Sequence, residues 1–184
     1  MSTAKLDHPA RPRRQATQHA TKAVPAFKSE AEERAFWEVG APYGMTRRFW
    51  QAPDQSPCIT PPWGTLTAVN YDEGRIVWSV PLGSWPLPHR LPEKYGAINL
   101  AGPMVTAGGL VFEGSTLDNY IRAFDARNGR LLWKARLPYS APATPMTYLG
   151  SDGRQYVVIA AGGHPKMPLP RGDAIVGFAL PRSP

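Results

Sequence analysis

Cys58 is the only cysteine, so no intrachain disulfide can form, and cysteine usage leaves the redox compartment open. No run of 18 apolar residues occurs, which argues against a membrane-spanning helix, and the N-terminus lacks the continuous apolar stretch of a signal peptide. As written, nothing in the sequence is expected to export or anchor the chain. Acid is scarce at the N-terminal end, where residues 1–28 hold six cations (Lys5, Arg11, Arg13, Arg14, Lys22, Lys28) against Asp7 alone. Of the net charge of +7, the remaining body keeps only +2, so the high pI describes an appendage and not a binding face. That tail has no aromatic interleaving and no binding-module pattern, so no nucleic-acid partner is expected. His8, His19 and His89 show no metal-ligand spacing with one another, with His164 or with Cys58, which argues against a His/Cys zinc site. Ser115 and Ser140 lie in no nucleophile motif, which leaves a hydrolase without support.

What the chain has in plenty is proline (21), glycine (17), tryptophan (6) and tyrosine (7), a mixture that favours short strands joined by tight turns. It also repeats itself. Ala68-Val69-Asn70-Tyr71-Asp72-Glu73-Gly74-Arg75-Ile76-Val77-Trp78 returns 55 positions later as Ala123-Phe124-Asp125-Ala126-Arg127-Asn128-Gly129-Arg130-Leu131-Leu132-Trp133. Each copy reads as a β-hairpin. A short apolar run meets a polar turn whose glycine can take positive φ, and a second run ends on a large apolar Trp. Asn70 or Asp125 at the turn entrance can accept hydrogen bonds from N–H groups just ahead. One hairpin cannot bury its Trp alone, so the recurrence marks stacked units, and strands at this period point to propeller blades.

Three regions follow along the chain. Residues 1–28 carry few large apolar side chains and read as a disordered basic tail. Residues 29–62 open with capping-box spacing at Ser29-Glu30-Ala31-Glu32 and a short helical pattern through Ala35, Phe36, Trp37 and Val39, then become a Pro-rich loop around Cys58. Residues 63–181 read as a partial propeller: a hairpin at 65–70 and 75–80, then four strands at 103–106, 110–113, 120–124 and 131–135. A third unit repeats the first three of those four around Met146, Tyr156 to Ala160 and Ile175 to Phe178. A ring needs roughly four or more blades, so these strands do not close one alone.

Cys58-Ile59-Thr60-Pro61-Pro62-Trp63-Gly64, Ala101-Gly102-Pro103-Met104-Val105-Thr106-Ala107-Gly108-Gly109-Leu110-Val111-Phe112, Ala143-Thr144-Pro145-Met146-Thr147-Tyr148, Gln155 to His164 and Gly172 to Pro181 stand in that order. Together they resemble the C-terminal end of the membrane-bound quinoprotein dehydrogenases that use pyrroloquinoline quinone (PQQ), the glucose and quinate dehydrogenase group. The repeated Ala-x-Asp-x-x-x-Gly-x-x-x-Trp unit resembles that group's tryptophan-docking motif. The likeness runs from about Gly40 to Pro181, and residues 1–35 show none. It implies an all-β chain forming the last two to three blades of an eight-bladed propeller, with PQQ and Ca²⁺ or Mg²⁺ on the axis. A sugar or polyol is the implied substrate, membrane ubiquinone the electron acceptor, and the periplasmic face of the inner membrane the location. General-base and Lewis-acid chemistry would act there, with the catalytic aspartate and most metal ligands on blades upstream of this chain. By itself the chain is expected to be inactive, with the upstream blades supplied by a separate chain as one arrangement.

The same resemblance singles out two segments facing the cofactor. Gly162-Gly163-His164 matches a loop that approaches the quinone or substrate, and Asn99-Leu100-Ala101-Gly102 matches the strand entrance lining the axial mouth. Glycine lets backbone N–H groups come close to PQQ carboxylates, and an imidazole can donate to a carboxylate or a sugar hydroxyl. Pro165, Pro168 and Pro170 interrupt the loop after His164, where relatives carry Gly, Thr and Lys. Other features read as structural: Trp78 and Trp133 as packing, Asp125 as a turn residue, Cys58 as a buried inert thiol, and Arg171-Gly172-Asp173 as a chance string. A second reading from a different class is a non-catalytic propeller-like interaction module that pairs its strand edges with another chain.

Overall fold

The computed structural model describes residues 36–37, 44–45, 50–54, 56–86, 90–165, 167 and 169–180. The expected basic tail, the capping-box turn and His89 lie outside the described residues. Eleven strands are present among those described: β1 (Phe36–Trp37), β2 (Gly44–Met45), β3 (Thr65–Asn70), β4 (Arg75–Pro81), β5 (Met104–Val105), β6 (Leu110–Glu113), β7 (Tyr120–Asp125), β8 (Leu131–Arg136), β9 (Met146–Leu149), β10 (Gln155–Ala161) and β11 (Ala174–Ala179). One 3₁₀ turn, Glu93–Tyr95, interrupts the excursion between β4 and β5. Where a helix was expected through Phe36 and Trp37, the two residues form a strand paired antiparallel with Gly44–Met45. An aromatic pair has a strand preference that a capping-box spacing does not override.

The remaining strands make three antiparallel sheets: β3-β4, β5-β6-β7-β8 and β9-β10-β11. This is the arrangement expected of a partial propeller, with two, four and three strands. The repeat is faithful down to its irregularity, since the register of β3 and β4 shifts between Ala68 and Val69, and that of β7 and β8 between Ala123 and Phe124, the same place in each copy. The turns also follow the sequence. Asn70 Oδ1 accepts from the N–H groups of Asp72 and Glu73 at 3.0 and 3.1 Å, and Asp125 Oδ1 from that of Arg127 at 2.9 Å. Gly129 takes φ +71°.

Strand alternation distributes the middle sheet's side chains to both neighbours. Val111 and Phe124 face the first sheet and pack with Leu66, Leu82, Trp78 and Val80. Ile121 and Phe112 face the third and pack with Leu137, Val157, Ile159 and Phe178. Trp78 is a packing residue, as expected: its indole N–H donates to the Ala126 carbonyl at 2.9 Å, and a β-carbon on Gly129 would lie 2.6 Å from its ring. Trp133 meets Phe178 edge-on at 5.1 Å but stays 38% exposed. Cys58 differs from expectation, being exposed. Its loop is tied by single backbone contacts, such as Cys58 N–H to the Trp50 carbonyl, and its prolines keep it out of any sheet that would cover the thiol.

Candidate functional site

Because every sheet is antiparallel, alternate connections emerge at the same end. The links β4 to β5, β6 to β7, β8 to β9 and β10 to β11 share one end, and the tight hairpin turns the other. All five expected site residues are in that first set of links: Asn99, Leu100 and Gly102 before β5, Gly163 and His164 after β10. Hydrogen bonds stitch these links together. Leu100 N–H donates to the Ser115 carbonyl at 3.2 Å, Gly102 N–H to Thr144 Oγ1 at 3.2 Å, and Gly163 N–H to the Ser140 carbonyl at 2.8 Å. Those amides are therefore committed within the chain. Glycine at 163 offers no free N–H, and the close approach it allows is that of the chain's own Pro170 and Arg171.

Gly163 has φ +72°, and a β-carbon there would stand 2.9 Å from the Pro170 carbonyl oxygen, so the position admits glycine only. The loop that follows turns on a bond from Met167 N–H to the His164 carbonyl at 3.1 Å and is closed by Gly172 N–H to the Gly162 carbonyl at 3.2 Å. The prolines do not scatter it. Met167 and Leu169 reach back to the buried cluster of Trp85, Ala97 and Leu117, which Ile98 and Leu91 also join. Ile98 precedes Asn99, so this cluster brings the two expected segments, more than sixty residues apart, to one place. Asn99 Oδ1 is buried there without a hydrogen-bond partner, as is Ser140 Oγ, and such orphaned polar atoms mark where a polar occupant or water is wanted.

Sequence reasoning missed two parts of this end. One is aromatic: Trp63 packs edge-on against Trp85 and beside Tyr95, both at 5.9 Å between ring centres. The other is ionic. Arg122, 2% exposed, sends Nη1 to Asp118 Oδ1 at 3.1 Å and Nη2 to Glu93 Oε1 at 3.0 Å, while Asp118 also accepts from Ser84 N–H at 2.9 Å. Burial pushes the Asp118 carboxyl up, but the Arg122 hydrogen bonds and charge, with Thr116 and Arg90, hold it below the usual carboxylate range. Glu93, pushed up by its partial burial, is likewise held low by Lys134 and Arg122. Glu113 behaves oppositely: burial raises its pKa, offset only in part by Ser115, the Gly114 amide and Arg122. Its Oε1 accepts from Ser115 N–H at 2.7 Å. The Ser115 hydroxyl lies near enough to help hold that charge but off hydrogen-bond geometry. The network is not legible in sequence because Glu93 and Arg122 meet across 29 positions.

A divalent cation is a different matter. Among the described residues no three of His, Cys, Asp and Glu come together to hold one. An occupant with a hydroxyl to donate to Asn99 Oδ1 and an acceptor for the Ser140 hydroxyl fits these orphaned polar atoms.

Comparison with known proteins agrees with this architecture. The family described as PQQ, glucose/ethanol/alcohol dehydrogenase, β-propeller domain, matches residues 3–157. The match reaches back to residue 3, which corrects the expectation that residues 1–35 carry no likeness to the family. The quinoprotein glucose dehydrogenase of Escherichia coli (strain K12) is 41% identical over 150 residues, covering 78% of this chain and 19% of that protein. The glycerol dehydrogenase large subunit of Gluconobacter thailandicus is 43% identical over 150 residues, covering 77% and 20%. The quinate/shikimate dehydrogenase (quinone) of Acinetobacter baylyi is 40% identical over 148 residues, covering 77% and 18%. The chain thus spans about a fifth of the length of these relatives. Among solved structures, the quinohemoprotein alcohol dehydrogenase from Comamonas testosteroni superposes with a TM-score of 0.47 at 26% identity, over 72% of this chain and 19% of that one. With a family match across most of its length and two- to four-stranded antiparallel sheets stacked in series, the chain belongs to the PQQ-dependent glucose/ethanol/alcohol dehydrogenase β-propellers.

Proposed function

We propose that the chain forms the last two to three blades of a PQQ-dependent dehydrogenase that oxidises a hydroxyl of a sugar or polyol and passes electrons to ubiquinone at the periplasmic face of the inner membrane. The observation that carries this reading is the convergence of the Asn99 and His164 segments on one buried cluster, at the end of the sheets where all the longer links emerge. When bound, PQQ supplies the oxidising quinone, with Ca²⁺ or Mg²⁺ as its Lewis acid. This chain's part is to line the mouth. Gly163 lets the loop fold closely on Pro170 and Arg171 so that His164 is presented at the mouth, Asn99 Oδ1 accepts a hydrogen bond from a hydroxyl, and the His164 imidazole donates to a carboxylate or hydroxyl, with Leu100 and Gly102 fixing the wall. The Trp78 contact with Ala126 and Gly129 supports reading the repeat as a tryptophan-docking motif. The catalytic carboxylate and metal ligands belong to the remaining blades, continuous with these residues or on a separate chain.

The test is a titration of the purified chain with PQQ in the presence of Ca²⁺, followed by quenching of its six tryptophans. Saturable, metal-dependent quenching is expected, without dye reduction when glucose or quinate is added. Absence of saturable quenching would remove the cofactor-facing mouth from the reading. A second reading, a non-catalytic module pairing its edges with another chain, is favoured by one feature: β11 pairs only with β10 among the described strands, and Ile175 on it is 77% exposed. A defined oligomer indifferent to PQQ would support that alternative.

A further inference from the structure

We propose that Arg171 is an anion-recognising residue of the same mouth, taking a carboxylate of whatever occupies the space beside Gly163 and His164. The inference rests on the reading of this end as a binding mouth, and it assigns the class of group bound there. The Arg171 side chain is laid over the glycine cradle: its Cγ lies 3.0 Å, and its Cα 3.2 Å, from where a β-carbon on Gly163 would stand. Its backbone is pinned on both sides. On one, Leu169 is anchored in the Trp85 cluster. On the other, Gly172 is bonded to Gly162 and pressed against Tyr139, whose ring would be 2.1 Å from a β-carbon at 172. The stem is placed by the fold as far as Cγ, and the guanidinium beyond it has no partner charge among the described residues.

The charge inventory of this end makes that cation stand out. Arg122 and Lys134 are paired with Glu93, Arg122 and Arg90 with Asp118, and these are the acids of the first and second sheets at this end apart from Glu113, whose pKa is raised. Asp173, two residues along, makes no ion pair with Arg171, and Arg171 is exposed with no hydrogen bond to any described residue. A guanidinium presents a planar fork that matches a carboxylate with two parallel hydrogen bonds, a geometry a lysine cannot reproduce. Two sources carry that group: the carboxylates of PQQ itself, and a carboxylated polyol such as quinate in place of a neutral one such as glucose.

The experiment compares the full chain with its Arg171→Gln and Arg171→Lys variants. PQQ affinity is read from tryptophan quenching with Ca²⁺. Binding of quinate and of glucose to the wild-type chain is read from the Arg171 Nε–Hε resonance. Loss of a charge-assisted hydrogen-bond pair is expected to weaken the carboxylate ligand roughly tenfold or more, with the lysine variant intermediate and added salt reducing the difference. A raised Kd for PQQ in Arg171→Gln assigns the cofactor's carboxylate. Unchanged PQQ affinity, with a quinate-dependent shift of the arginine resonance that glucose does not cause, assigns the substrate's. If the wild-type chain ignores PQQ yet quinate shifts Arg171, the cofactor reading fails and the anion site stands. Equal PQQ affinity, or equal lack of it, in all three proteins, together with no quinate-dependent shift of the wild-type Arg171 resonance, overturns the proposal.

Discussion

The junction between the first and second sheets and that between the second and third are built from the same repeat but held by different forces. At the first, a small apolar cluster around Leu66, Leu82, Val111 and Phe124 is joined by the Arg122, Asp118 and Glu93 network, and the Trp78 indole is closed over by the next hairpin's turn. At the second, the contact has no ion pair among the described residues and is mainly apolar, centred on Ile121, Leu137, Val157 and Ile159, and the equivalent Trp133 meets Phe112 and Phe178 while remaining partly open to water. The difference teaches that the same place in the repeat leaves its Trp covered only as far as the following chain packs on it. Gly129 and Ala126 follow Trp78 at the right distance, whereas no described hairpin turn follows β11 to cover Trp133.

The largest effect expected to separate the junctions is on the ionic one. Arg122→Met leaves Asp118 buried with only Ser84, Thr116 and the half-exposed Arg90 around it, a change that typically costs about 3 kcal/mol or more. Ile159→Ala at the apolar junction is expected to cost a comparable ~3 kcal/mol through its cavity. The two part company with pH. Asp118 and Glu93 have depressed pKa values in the folded chain. Their contribution is therefore full above the ordinary carboxylate value and lost as pH falls through the folded values. The Arg122→Met penalty in urea unfolding should shrink in acid, and the Ile159→Ala penalty should not. Equal pH dependence of the two would sink the ionic account. Next in size is the pair of indoles: Trp78→Ala is expected to cost about 3 kcal/mol and Trp133→Ala about half of that, since part of the Trp133 surface is already in water. A larger loss at Trp133 would mean that something outside the described residues covers it.

How much of this was legible in sequence follows from the range of each interaction. The hairpins are local, so Gly129, Asn70, Asp125 and the period of 55 mark their turns and strands, while the register shift at the same place in each copy emerges only in the structure. The helix through Phe36 and Trp37 fails because a capping pattern is a weak local signal that strand pairing outcompetes. The buried Cys58 fails because the Pro-rich loop that carries it does not fold over the thiol. Asn99, Leu100, Gly102, Gly163 and His164 could be named from resemblance, and they do sit at one end. That Gly163 N–H is spent on Ser140, and that Met167 and Leu169 cross to Trp85, depends on contacts between sheets that no local pattern encodes.

The smallest effect sharpens the comparison from the other side, because Glu113 lies on the ionic junction and works against it. Val111 and Glu113 share a strand face directed at the first sheet, and the cross-strand partner of Glu113 is Arg122. The arginine's two guanidinium ends are nonetheless given to Asp118 and Glu93. Glu113 is thus a buried acid beside a cation already engaged, and burial raises its pKa. A raised carboxyl pKa means that the folded chain holds the proton more tightly than the unfolded one. The cost is absent below the unfolded value, appears as pH rises through it, and is complete above the folded value. Glu113→Gln keeps an acceptor for Ser115 N–H while removing the titration. It should therefore raise the melting temperature slightly at neutral pH and leave it unchanged near pH 3, the reverse of the trend for Arg122→Met. A gain that persists in acid would place its origin in packing instead of charge, and the first junction would then owe less to electrostatics than Asp118 and Arg122 indicate.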